Sequence, residues 1–187
     1  IASMIDASWK TPLGLVEVDS ESALELRDGL DILELDSFSH SKEHSIEVQV
    51  PMLQETFSHE MKILPISLIN QEQKTATKVG SAIAKIAQKK DALLIGSSDF
   101  THYEENEFAH RQDLALIDPI LKLDVDEFYK ILYERHVTAC GFGAIASTMI
   151  ACKELGATEG KLLKYATSGD VSGDKSSVVG YASIIFV

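Results

Sequence analysis

Cysteine, proline and positive charge are all scarce in this chain. Its 187 residues include two cysteines, four prolines and one tryptophan. Two thiols, Cys140 and Cys152, are too few for the disulfide framework that holds small secreted folds together. If both sit on one helix, a rise of about 1.5 Å per residue keeps them well apart. Reduced thiols and a cytoplasmic setting are therefore expected. Lys and Arg total 17 against 29 Asp and Glu, a formal net charge of −12. That balance argues against non-specific nucleic-acid binding and against an anionic membrane surface as partner; its plainest consequence is solubility. No apolar run approaches the roughly 20 residues needed to cross a bilayer. The opening residues 1–14 lack the charged-then-apolar order of a signal peptide, and they read as a chain entered mid-fold.

What is present is an ordinary globular mixture, 45% hydrophobic and 25% charged, with the length of one domain; a single domain over residues 1–187 is expected. Leu13 to Asp19 alternates after a Pro-Leu-Gly turn and predicts a strand or hairpin arm. "DSESALELRDGL" predicts a short helix capped by Asp19 or Ser20 and stopped at Gly29. "FSHSKEHSIEVQVPMLQETF" fits either period; a helix is favoured, provided that Pro51 falls in its first turn. Residues 62–68 read as a strand, and the segment from Asn70, taken as the cap, reads as a helix with Val79, Ile83 and Ile86 on one face. "DALLIGSS" has the continuous apolar character of a central strand covered on both sides. Further helices are predicted over "ENEFAHRQDLALIDPILKL", interrupted near Pro119, from Asp124 through "DVDEFYKILYERHV", and over "FGAIASTMIACKELG", closed by Gly156. Two final strands, joined by "SGDVSGDKS", complete the chain. Strands interleaved with helices give an α/β fold, a layered sheet flanked by helices, with the last two strands as an antiparallel pair.

Ligand sites in such folds gather beyond the carboxyl ends of strands. Asp99 and His102 stand at one such end. A carboxylate and an imidazole there can bind a divalent metal or act as a general base with its orienting acid; the plainer alternative is a loop cap plus a surface histidine. Cys140 precedes a predicted helix start, a position that favours the thiolate form, with Gly141 and Gly143 permitting close approach; the alternative is a small residue buried at a tight turn. Cys152 reads as core. His44 in "KEHSIE" either belongs to a helix N-terminus with Glu43 or reaches into the same crevice as a hydrogen-bond donor. His40, His59, His110 and His136 read as surface or structural. "GDVSGDKSS" fails as a phosphate loop, because Asp174 separates Gly173 from Lys175 and a strand follows. Ser97 and Ser98 lie near His102 but lack the G-x-S-x-G elbow of a hydrolase.

In this order, "EHSIEVQVPML", "SSDFTHYE", "CGFGAI" and "YATSGDVSGDKSSVVGYAS" resemble the Memo family, over nearly the whole chain from "WKTPLG" onward. The resemblance implies a fold like that of the class III extradiol dioxygenases, non-haem iron enzymes. It implies a pocket lined by Asp99, His102 and Cys140, with Cys140 a metal ligand and His44 at the edge. The family pattern also has two histidine-bearing motifs ahead of "WKTPLG", which this sequence does not contain; a fold incomplete at its N-terminus is therefore expected. So is a second chain, or a second copy, covering the gap. Two functions follow as expectations. One is a metal-capable pocket, with iron or another transition metal serving a redox role on a small molecule, and with Asp99, His102 and His44 as its catalytic groups. The other is a non-catalytic module that binds a small ligand or a peptide.

Overall fold

The computed structural model describes residues 1–57 and 60–187; His59, read above as surface or structural, lies outside the described residues. The chain forms two compact units, Ile1–Asn70 and Gln71–Val187. Both mix helices with short sheets.

In the first unit, strands β2 (Ser8–Thr11) and β3 (Gly14–Val18) form the expected hairpin, with Trp9 opposite Val16. Gly14 at its corner has φ +125°, a backbone region that side-chain-bearing residues avoid. Helix α1 (Ser20–Gly29) starts where the Asp19 carboxylate accepts the Ser22 N–H at 3.1 Å, and it buries Ala23 and Leu26. Strand β1 (Ala2–Ser3) pairs in parallel with β4 (Glu34–Leu35), and β3 pairs in parallel with β5 (Lys62–Ile63). The strand expected over 62–68 is thus shorter, with only Ser67 adding an isolated bridge to Ala2. The ambiguous region resolves into turns followed by helix α2 (Val50–Thr56), with Pro51 in its first turn. A first-turn N–H has no partner within the helix, so proline, which lacks one, costs little there.

In the second unit, helix α3 (Gln73–Ala87) begins after Glu72 rather than Asn70. It lies close against helix α6 (Phe142–Glu154): a Cβ added at Gly80 would sit 2.6 Å from the Ser147 carbonyl oxygen. Helix α4 (Asn106–Leu121) runs through Pro119 without interruption; the proline omits one bond, and it falls in the last turn, so little helix lies beyond any bend it causes. The Asp124 carboxylate caps helix α5 (Val125–Glu134), accepting the Glu127 N–H at 3.0 Å. Strands β6 (His102–Glu104), β7 (Gly160–Thr167) and β8 (Val178–Phe186) form one antiparallel sheet in the order β6-β8-β7. The β7–β8 connection holds one short helix, α7 (Gly169–Ser172), that sequence patterning did not predict. One sheet face, through Leu162, Tyr165, Ala182, Ile184 and Phe186, rests on a helical core around Leu116, Ile120, Phe128 and Met149. The architecture is α/β, with sheets flanked by helices.

"DALLIGSS" corrects the reading as a central strand. Residues 91–98 have no strand assignment, and Leu93 is 65% exposed. Composition favours a strand there, but a strand exists only through its neighbours. Backbone pairing with β8 is made by Phe100, whose N–H donates to the Gly180 carbonyl at 3.0 Å.

His40 is buried on a 3-10 turn (Phe38–His40), and neither ring nitrogen has a hydrogen-bond partner among the described residues. Burial holds the ring below its ordinary value of 6.5, against the opposing pull of Glu43, the Ala2 backbone and Asp36. The unfolded chain therefore takes up this proton first as pH falls. The stability His40 contributes is complete above about 6.5 and is lost as pH falls toward the folded-state value. Denaturant titrations at pH 7 and pH 5 are expected to show a smaller drop for His40→Phe than for the parent protein; equal drops would refute this.

Candidate functional site

The end of the apolar run is fixed residue by residue. Ser98 Oγ accepts the Gly141 N–H at 2.8 Å and donates to the Asp99 carbonyl at 2.7 Å. That carbonyl also accepts the Cys140 N–H at 3.3 Å, and the Asp99 N–H donates to Cys140 Sγ at 3.3 Å. Two loops distant in sequence are thereby zipped together just ahead of α6. The fit requires glycine: a Cβ at Gly141 would lie 2.5 Å from the Ser97 carbonyl oxygen. Gln71 braces the same corner. Its Nε2 donates to the Cys140 carbonyl at 2.9 Å, and its Oε1 accepts the Gly143 N–H at 2.7 Å in the first turn of α6. The Tyr129 hydroxyl in turn donates to the Gln71 carbonyl at 2.7 Å.

His102 is held twice by Thr138. Its backbone N–H donates to Thr138 Oγ1 at 2.9 Å, and its Nδ1 lies 2.9 Å from the Thr138 carbonyl oxygen. A carbonyl only accepts, so Nδ1 carries the proton and Nε2 is the nitrogen left for a ligand. Nε2 lies 3.7 Å from Asp99 Oδ2. A ring nitrogen of His102, a carboxylate oxygen of Asp99 and Cys140 Sγ all fall within 4.8 Å of one another. Asp99 and His102 are half-buried and Cys140 is exposed, so the cluster opens to solvent. Tyr103, at φ +59°, turns its ring edge-on to the His102 ring with centroids 5.8 Å apart. Burial, followed by the Asp99 and Tyr103 charges, pushes the Tyr181 phenol up.

The structure therefore brings Asp99, His102 and Cys140 together. A carboxylate oxygen and an imidazole lone pair this close can be bridged by a water, a proton or a cation. The 3.7 Å separation fits the roughly 3–4 Å that two donors span around one transition-metal ion. An O, N and S donor set suits iron, copper or zinc better than magnesium or calcium. Among the described residues it is the one such group of acidic, histidine and cysteine side chains. His44 belongs to the first unit, on an exposed turn with Nδ1 3.3 Å from Glu47 Oε1. Its neighbour Glu43 caps that turn by accepting the Ile46 N–H at 2.9 Å. Cys152 is half-buried, and burial pushes its thiol up. His110 packs edge-on against Tyr165 at 4.7 Å between centroids, and His136 is exposed at φ +52°. Sequence reasoning missed the supporting residues Gln71, Thr138 and Asp113, whose types carry no signal until their partners are known.

A family model described as Memo-like protein matches residues 1–185. A MEMO1 family protein of Nitrosopumilus maritimus is 59% identical over 187 residues, covering 100% of this chain and 68% of the relative. One from Methanosarcina acetivorans is 50% identical, covering 98% of this chain and 68% of the relative. One from Sulfolobus acidocaldarius is 45% identical over 180 residues, 63% of its length.

Gly141→Ala is expected to destabilise the protein by about 1–3 kcal/mol and to part the two loops. Cys140 alkylation should then change rate beyond what the lost stability explains. An unchanged rate at unchanged stability would show that the close approach matters little.

Proposed function

Because the chain belongs to the Memo family, we propose that Asp99, His102 and Cys140 hold one transition-metal ion in a redox role on a small molecule. One observation carries this reading: three donors from two loops converge, with Nδ1 of His102 already committed to a backbone carbonyl. That arrangement is the usual support for a metal-ligating histidine, since the carbonyl selects the tautomer and fixes the ring plane. Iron or a similar ion would supply Lewis acidity and one-electron chemistry, with positions left open for substrate.

The chain's own residues do the rest. The Asp99 N–H holds the sulfur in place, Thr138 orients the imidazole, and the open side admits a small molecule. Ser98, Gln71 and the glycines hold the two loops at fixed separation, so that binding need not order them. Protons compete with metal for Nε2 and for the thiolate, so affinity should fall as pH falls.

Metal analysis of the purified protein, after reconstitution with ferrous iron, copper or zinc, is expected to give about one ion per chain. Cys140→Ser and His102→Ala should each lower affinity by at least tenfold with folding intact. Absence of stoichiometric metal in the parent protein under all three conditions would reject the proposal.

A further inference from the structure

We infer that Asp113 is a positioning residue for the Asp99, His102 and Cys140 cluster, acting through Thr101; the inference rests on the metal reading above only for its affinity readout. Asp113 is fully buried on α4. Its Oδ1 accepts both the Thr101 N–H at 3.0 Å and the Thr101 hydroxyl at 2.6 Å. Its Oδ2 accepts the Tyr165 hydroxyl at 2.7 Å, and burial, followed by this carboxylate, pushes the Tyr165 phenol up. Thr101 is itself buried and stands directly before His102, two residues after Asp99.

The surroundings are shaped for this carboxylate. A Cβ on Gly180 would come within 1.9 Å of Asp113 Oδ2, so β8 leaves out a side chain where the oxygen lies. Gly180 also clamps the same turn from the other side: its N–H donates to the Thr101 carbonyl at 2.9 Å, and its carbonyl accepts the Phe100 N–H. Burying a carboxylate is costly unless it is fully bonded, and an apolar substitute of similar size is often no worse for stability. Here the buried charge spends two of its three bonds on the one residue that sets the backbone of His102. A merely stabilising group would have no reason to concentrate there.

The test compares Thr101→Val, Asp113→Ala, Asp113→Asn and a core control, Leu132→Ala. Thr101→Val is close to isosteric and guards against failure of Asp113→Ala to fold. Asn keeps the oxygen that accepts from Thr101, while its NH2 can donate to the Tyr165 oxygen. Asp113→Ala and Thr101→Val are expected to weaken ferrous or zinc affinity by about tenfold and to shift the His102 ring signals in the metal-free NMR spectrum. Asp113→Asn should stay within about twofold of the parent, and Leu132→Ala should lose stability without either change. If affinity and the ring signals follow stability equally in all four variants, or if Asn behaves as Ala does, the inference is overturned. If the parent binds no metal, the metal reading fails, and the metal-free ring signals alone decide the positioning role.

Discussion

Every functional group of the cluster depends on one short turn, Ser98 to His102, being held from outside itself. Ser98 is tied to Gly141, Asp99 to Cys140, Phe100 to Gly180, Thr101 to Asp113 and His102 to Thr138. Each bond contributes only about 1 kcal/mol net, but leaving a buried N–H unpaired costs more than the bond yields. Up to Thr101 the turn belongs to no strand or helix that would satisfy it. Its geometry is therefore set by whichever elements supply the missing partners, and these come from α4, β8 and the loop between α5 and α6.

That dependence explains why close approach recurs around the site. Gly80 lets α3 lie on α6, Gly141 lets the Cys140 loop reach Ser97 and Ser98, and Gly143 lets α6 meet Gln71. A methyl group at any of these would force apart surfaces whose contact fixes the sulfur relative to the imidazole. The core beneath, with Phe128, Leu116 and Met149 fully buried, holds the helices in place so that the loops need not. Fold and site are thus linked through backbone separation, and through side-chain chemistry only at the last step.

Much of this was legible in the sequence where the determinants are local. Asp19 and Asp124 announce their helices because a cap is a contact between near neighbours. The last two strands declare themselves through alternation, and Asp99, His102 and Cys140 through position and through the resemblance to the Memo family. What could not be read depends on partners distant in sequence. Residues 91–98 have the composition of a covered strand, yet a run of Ala, Leu and Ile does not say which chain segment lies beside it. Pro119 looks like a helix breaker until the helix is seen to end two residues later. Gln71 and Thr138 are unremarkable by type, and Asp113 in a helical stretch reads as one more surface acid. Its burial becomes visible only when Thr101, Tyr165 and Gly180 are brought around it.

The hydrogen bond from His102 Nδ1 to the Thr138 carbonyl has the most direct chemical consequence. It leaves Nε2 as the ring nitrogen facing the Asp99 carboxylate, with two acceptor atoms 3.7 Å apart. A water or a proton can bridge them. A metal ion, as proposed, would engage both and also Cys140, whose sulfur already accepts the Asp99 N–H. The same sulfur, held within 4.8 Å of both, gives the proposed coordination a third donor that a simple acid–base pair would not use.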